Sequence, residues 1–387
     1  MTPSVKRASE GTLAPAGSTL YLYSGAGNTF VVIDGRGSTM RASTGEAAFS
    51  GETVETTFCG ETVDVVGLCA KYGTDGLMIL REGTFYDEVA GDKGSGAAAD
   101  GPAYDFAMEF YNPDGSGGMM CGNGGRCIVA FADYLGIKPS NGRSYIFEAP
   151  DGLHEGEILN VADDNAVIPD PIGGLVPDHH RRAADGVVKT VRIKMIDVRE
   201  FHPALDGWFV DTGTRHFVKF VPEVEGLDMD TEGKRYRWDP AFAPIGANAN
   251  FVKIEPCRLK VRTFEKGVEG ETLACGTGIT ASAIAAWLAG THAPSDTSAP
   301  ASSSSPAGSS SLVGISLPAG TTSPAGFSSS LRETISYNVR AREDDLRVEF
   351  RPVFCQAPGD TPAATRRVDH FEDVYLTGPA KLYRIIE

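Results

Sequence analysis

No stretch of the chain approaches the roughly eighteen consecutive apolar side chains of a membrane-spanning helix, so no such helix is expected. No apolar secretory core opens the sequence, and the seven cysteines are an odd number, which argues against a closed disulfide framework and for a reducing cytosol. Metal-type spacing is missing as well. Cys121 and Cys127 are six apart, Cys59 and Cys69 ten apart, and no Cys-x-x-Cys or close Cys/His pair exists, which speaks against a metal centre. No Lys-Ser or Lys-Thr follows the glycine-rich loops, and no Rossmann glycine triplet opens a strand-helix unit, so a phosphate cradle is not expected. Basic residues are in deficit, 35 against 51 acidic ones for a net charge of −16, with no concentrated basic patch. That argues against a nucleic-acid surface and reads as a solvated acidic exterior.

What the chain does have is a repeated motif. Cys121-Gly122-Asn123-Gly124-Gly125-Arg126-Cys127 returns in altered form as Cys275-Gly276-Thr277-Gly278. After the first copy the apolar residues Ile128, Val129, Ala132 and Leu135 run to Gly136; after the second, Ile279, Ala283, Ala286 and Trp287 run to Gly290. The spacing predicts a helix with one buried face in each copy, ended by a glycine fifteen residues past the cysteine in both. A cysteine at a helix mouth meets unpaired backbone N–H groups and the positive end of the macrodipole, so its pKa is expected to fall. The small residues beside it leave room for N–H groups to hold a carboxylate.

At 387 residues the chain is long enough for two cores, which suits a duplicated unit. Residues 1–18 read as a disordered leader whose basic, serine-bearing start leaves an organelle transit peptide open. Strands are predicted at Thr19 to Tyr23 and Phe30 to Ile33, with antiparallel strands at Leu77 to Leu80, Asp105 to Phe110 and Tyr145 to Glu148 and a loop at Gly91 to Gly101. Further strands are predicted at Val187 to Met195, Trp208 to Asp211, His216 to Val221, Phe251 to Ile254 and Leu259 to Phe264. Residues 291–330, nearly all Ser, Ala, Pro, Gly and Thr, read as a low-complexity insert too poor in apolar bulk to order. Ser336 to Arg342 and Leu346 to Arg351 then alternate as a hairpin would. The expected domains are 19–150 with 376–387, and 151–375.

The chain resembles the diaminopimelate epimerase family, cofactor-independent enzymes that invert one carbon of an amino acid with two cysteines. The resemblance rests on Gly25-Ala26-Gly27-Asn28-Thr29-Phe30, on Asp75-Gly76-Leu77, and on Tyr111-Asn112-Pro113-Asp114-Gly115 with Met120 to Gly124. It continues at Gly213 to His216, Asn248 to Phe251, Glu265-Lys266-Gly267 with Glu271 to Gly278, and Leu376-Thr377-Gly378-Pro379-Ala380. It implies an α/β fold of two similar domains, each a curled, mostly antiparallel sheet around a central helix, with the active site between them and a homodimer as the assembly. Related proline racemases usually carry His where Asn123 stands.

The reaction so implied takes a hydrogen from a carbon between a carboxylate and an ammonium and returns one to the opposite face. Two thiols meet that demand, Cys121 and Cys275, one starting as thiolate and one as thiol. N–H groups at Gly122, Gly276 and Thr277 would hold the α-carboxylate and steady the growing charge. The resemblance adds Asn28, Asn112, Asn123 and Asn248 as substrate amides, and His216 and Glu265 beside the thiols. It departs at Thr29, at Thr214 and Arg215, and at Lys266 where the family has Arg, a point charge in place of a bidentate fork. Thr214 and Lys266 fall where the far end of the substrate is read. An epimerase of LL-2,6-diaminopimelate, a racemase of another amino acid such as a proline-type substrate, and a catalytically silent binding relative are therefore the competing readings, and the two cysteines argue against the last.

Overall fold

The computed structural model describes residues 13–15, 17–38, 41–43, 62–84, 103–117, 121–161, 187–290, 334–355 and 367–387. The predicted insert at 291–330, the loop at 91–101, Cys59, Met120 and most of the leader lie outside the described residues. In chain order the first elements are β1 (Leu20–Gly25), β2 (Asn28–Asp34), β3 (Arg41–Ser43), β4 (Thr62–Asp64), α1 (Val65–Tyr72), β5 (Leu77–Glu82) and β6 (Phe106–Tyr111). There follow α2 (Gly122–Tyr134), β7 (Ser144–Ala149), β8 (Gly152–Val161), β9 (Val187–Lys194), β10 (Phe201–Ala204), β11 (Gly207–Asp211), β12 (Arg215–Phe220) and α3 (Met229–Arg237). The chain ends with β13 (Asn248–Glu255), β14 (Arg258–Glu265), β15 (Gly270–Thr272), α4 (Gly276–Leu288), β16 (Ile335–Arg340), β17 (Asp345–Phe354) and β18 (Val368–Ile386).

These elements divide into two compact units, 1–194 with 376–387 and 195–375. The first extends to Lys194 rather than ending at residue 150, because β8 folds back on β7 as a hairpin and then pairs with β9. Its strands run β1-β2-β5-β6-β7-β8-β9-β18, and β18 pairs back onto β1, Leu20 opposite Ile386, so the strands close on themselves. Helix α2 passes through this ring against β1, β2, β5, β8 and β9. The predicted antiparallel strands are only partly so: β5 and β6 are antiparallel, but β2–β5 and β6–β7 are parallel, since α1 and α2 carry the chain back before the next strand begins.

The second unit runs β18-β17-β16-β14-β13-β12-β11-β10, with β15 on β14, and Val198 bridges Phe371 of β18. Helix α4 lies against β11 to β14, β16 and β17. The hairpin expected after residue 335 is β16 and β17, Ile335 opposite Phe350.

Both central helices are enclosed rather than buried on one face. Every residue of α2 from Gly122 to Ala132 is buried, as is every residue of α4 from Gly276 to Trp287 except Thr277. A ring of strands covers all sides of a helix, and the glycines and alanines of both sequences keep each helix thin enough to fit. Bulk stands where the ring leaves space: the Phe131 ring lies 4.8 Å from Tyr21, and Trp287 lies 5.5 Å from Phe371. Each such side chain adds ~1.5–3 kcal/mol on burial, so the register of each helix is firmly set. Both stop glycines, Gly136 and Gly290, take the left-handed conformation at φ 77° and 74°. No helix among the described residues is long and apolar enough to cross a membrane.

Candidate active site

Each enclosed helix starts at one of the repeated cysteines, which is its N-cap with extended backbone, φ −101° and ψ 147° at Cys121, φ −110° and ψ 109° at Cys275. Both thiols are half-buried. The Cys121 sulfur accepts a hydrogen bond from the Gly124 N–H at 3.2 Å, the bond a serine N-cap would make.

In the first unit the β1–β2 hairpin turns through Ala26 and Gly27, both at positive φ, 55° and 90°. Gly25 lets this turn lie on α2, since a Cβ there would meet the Asn123 carbonyl at 2.8 Å and the Cys127 sulfur at 3.0 Å. The turn thereby delivers Asn28, whose Oδ1 accepts from Asn123 Nδ2 at 2.5 Å. Asn123 Oδ1 in turn accepts from Arg126 Nη2 at 2.8 Å. Arg126, fully buried, also donates to the Gly122 carbonyl at 3.1 Å and the Pro379 carbonyl at 3.4 Å. The fixed order of donors, Arg126 to Asn123 to Asn28, leaves Asn28 its amide nitrogen to offer a ligand. The departure at Thr29 keeps an anchor, its N–H and hydroxyl both reaching Asp75 Oδ2, at 2.8 and 3.3 Å. Asn112 follows β6 and is tied by its amide to the Ser116 hydroxyl at 2.9 Å. Its strand borders the same helix start through Phe110, which packs on Gly124.

In the second unit parallel pairing sets His216 of β12 opposite Asn248 of β13. Asn248 Oδ1 accepts from the Lys266 N–H at 2.7 Å, which holds the loop after β14 against the site, while the Lys266 side chain is exposed. The Thr277 hydroxyl is the junction. It lies 3.3 Å from the Cys275 sulfur, 3.0 Å from His216 Nε2 and 3.0 Å from the Thr214 hydroxyl. Glu265 accepts from the Thr272 hydroxyl at 2.8 Å and faces Cys275. Burial of the sulfur, and then the Glu265 carboxylate, push the Cys275 thiol well above its usual range, against weaker help from Thr277 and the Gly278 N–H. The helix-mouth argument thus gives the wrong direction at Cys275: loss of hydration and a nearby anion outweigh the dipole.

His216 is completely buried, and burial lowers its pKa from 6.5 to about 3. The ring is neutral throughout the physiological range and is neither a resting acid nor a charge partner for the thiol. Unfolded chains bind a proton here near pH 6.5 and folded ones near 3, so the contribution to stability is whole above about pH 6.5 and is lost as pH falls toward 3. The unfolding free energy measured by denaturant melts from pH 7 to 4 is expected to fall more steeply for the parent than for His216→Gln, by up to ~1.4 kcal/mol per pH unit. Parallel slopes would mean that the ring is hydrated.

Sequence reasoning missed Arg126 and Asn250. Arg126 sat inside the first motif, and a charged residue in a helix otherwise made of small and apolar side chains was the available signal. Asn250 donates to His216 Nδ1 at 3.0 Å, and the alternation Asn248, Ala249, Asn250, Phe251 was its signal.

A family model described as diaminopimelate epimerase matches residues 208–310. The chain is 34% identical to the diaminopimelate epimerase of Chlorobaculum tepidum over 67% of its own length and 80% of the relative's. It is 34% identical to that of Aquifex aeolicus over 69% and 80%, and 33% identical to that of Hydrogenobaculum sp. over 70% and 83%. A solved phenazine biosynthesis protein of the PhzF family from Bacillus anthracis aligns over 95% of this chain and 98% of that one at 11% identity. The TM-score of that alignment is 0.48.

Proposed function

The chain belongs to the diaminopimelate epimerase family, and from that premise we propose that it interconverts LL- and meso-2,6-diaminopimelate through Cys121 and Cys275. The observation that carries the reading is the duplicated one: in each unit a half-buried cysteine caps the start of an enclosed helix and is followed by a glycine, with an amide (Asn123) or a hydroxyl (Thr277) two residues past the sulfur. The product serves lysine and cell-wall synthesis, and the enzyme is an isomerase. The reaction needs no cofactor, because both protons are carried by sulfur.

One thiolate takes the α-hydrogen, and the electron pair left on carbon is stabilised by N–H groups of the helix mouths that hold the carboxylate. The second thiol gives its hydrogen to the opposite face of that carbon and is left as thiolate. Cys275, kept protonated beside Glu265, suits the donor in the state described here, with Cys121 as acceptor. The reverse reaction exchanges the roles. Asn28, whose amide oxygen is already engaged, presents its nitrogen to the substrate, and Asn248, whose oxygen is likewise engaged, turns its nitrogen toward the His216 ring at 3.5 Å, with a second hydrogen for the substrate. The six described cysteines are all free thiols, which supports a reducing compartment such as the cytosol. A homodimer follows from the family resemblance alone and is open to sedimentation analysis.

Lys266 is the departure that bears most on the substrate. If its ammonium receives the distal carboxylate, Lys266→Ala loses a hydrogen bond to a charged group, ~1.5–3 kcal/mol, or about one to two decades in kcat/KM. Lys266→Arg is expected to keep or raise kcat/KM by restoring the fork. Steady-state kinetics with LL-diaminopimelate and with proline provide the check. Ala and Arg variants that both match the parent on LL-diaminopimelate would remove Lys266 from the site and favour a proline-type substrate.

A further inference from the structure

We propose that Asn250 is a positioning residue for proton transfer at Cys275: it fixes which nitrogen of His216 carries the ring hydrogen and so turns the Thr277 hydroxyl toward the sulfur. The proposal rests on Cys275 being a proton carrier and deepens that reading.

Asn250 is fully buried on β13. Its Nδ2 lies 3.1 Å from the Phe217 carbonyl, and its Oδ1 accepts from the Thr263 hydroxyl at 2.9 Å. A carbonyl only accepts, so the amide nitrogen must be the atom facing Phe217. The same nitrogen is 3.0 Å from His216 Nδ1, and its second hydrogen goes there. Nδ1 therefore accepts, and the single ring hydrogen is on Nε2. An imidazolium would set two N–H groups against each other; the amide would favour the charged ring only if its oxygen faced Nδ1, which Phe217 prevents.

From Nε2 the chain runs one way. Nε2 faces three groups: the Thr214 hydroxyl at 2.8 Å, the Thr277 hydroxyl at 3.0 Å and, farther off at 3.5 Å, the Asn248 amide nitrogen. Its hydrogen goes to the nearer hydroxyl oxygens, and Thr214 donates to Thr277 at 3.0 Å. Thr277 thus receives on its lone pairs, and its one hydrogen is left for the Cys275 sulfur 3.3 Å away. With the hydrogen on Nδ1 instead, Nε2 would draw in the Thr277 hydrogen and a thiolate would face oxygen lone pairs. Gly278 permits the approach of α4, since a Cβ there would stand 2.3 Å from Asn250 Oδ1 and 3.2 Å from His216 Cε1. The charged group acting on Cys275 is Glu265, and among the described residues none acts on His216. Glu265 keeps the proton on sulfur at rest, and the hydroxyl chain receives the charge once the proton has gone.

Two readouts that need no turnover test this on the full chain. Nitrogen-15 NMR of histidine-labelled protein, with His216 assigned by comparison with His216→Gln, is expected to find the neutral Nε2–H tautomer from pH 5 to 8 and a mixture of tautomers in Asn250→Ala. Iodoacetamide labelling of Cys275, followed peptide by peptide against pH, is expected to shift upward by about one pH unit, a tenfold fall in rate below the midpoint, in Asn250→Ala and Thr277→Val. Thr277→Ser, which keeps the hydroxyl, should label as the parent does. A parent ring that is charged or carries its hydrogen on Nδ1, or a Thr277→Val profile superimposed on the parent, overturns the proposal. A shift in Thr277→Val without one in Asn250→Ala overturns the role of Asn250. Failure here leaves the two-thiol reading untouched, because that reading stands or falls on turnover by the cysteine variants.

Discussion

Cys121→Ala and Cys275→Ala are each expected to lower turnover of LL-diaminopimelate by roughly a thousandfold or more, since a positioned acid or base contributes ~10²–10⁴ and inversion needs one on each face. Neither variant should unfold. Both cysteines are N-caps, and the bonds their sulfurs take from the following turn are weak sulfur bonds, so the cost in stability should be about 1 kcal/mol or less. Circular dichroism melts alongside initial rates separate the two effects. Turnover near the parent value in either variant would end the two-thiol account.

The second large effect is expected at Arg126. Arg126→Met keeps the bulk of the side chain but removes the buried guanidinium that donates to the Asn123 amide oxygen and the Gly122 and Pro379 carbonyls. Losing charge-assisted bonds of this kind from a buried site costs about 3 kcal/mol, equivalent to a melting temperature lower by roughly 6–10 °C. A kinetic signature should accompany the loss, because Asn123 orients Asn28: KM for LL-diaminopimelate should rise more than kcat falls. Arg126→Lys, with one donor in place of a fork, should lie between the parent and Met. An unchanged melt together with an unchanged KM would make the arginine a passenger.

The repeated motif was legible because its signals are local. A cysteine before a glycine, an apolar run and a stop glycine at the same interval are all read within sixteen residues, and both helices and both left-handed glycines stand where the spacing put them. Most strands were legible from their β-branched and aromatic content for the same reason. Helix α3 was not, because Asp230, Glu232, Lys234 and Arg235 mask the few residues it buries, Met229 and Tyr236 among them. Parallel pairing could not be read either. Nothing local states that β12 and β13 run side by side with His216 opposite Asn248, and that register brings Asn250 to the ring. The direction of the Cys275 shift escaped for a related reason: the dipole is a property of its own helix, while the opposing carboxylate comes from the end of β14.

The account is tested most directly by turning over LL-diaminopimelate in deuterium oxide and analysing product and remaining substrate at early conversion. Removal by one sulfur and delivery by another require the newly formed meso-diaminopimelate to carry deuterium at the inverted carbon, since the donor thiol has exchanged with solvent, while unreacted substrate stays protiated. Product that retains the substrate's own hydrogen, or substrate that gains deuterium as fast as product forms, would mean that a single base serves both faces and would contradict the account.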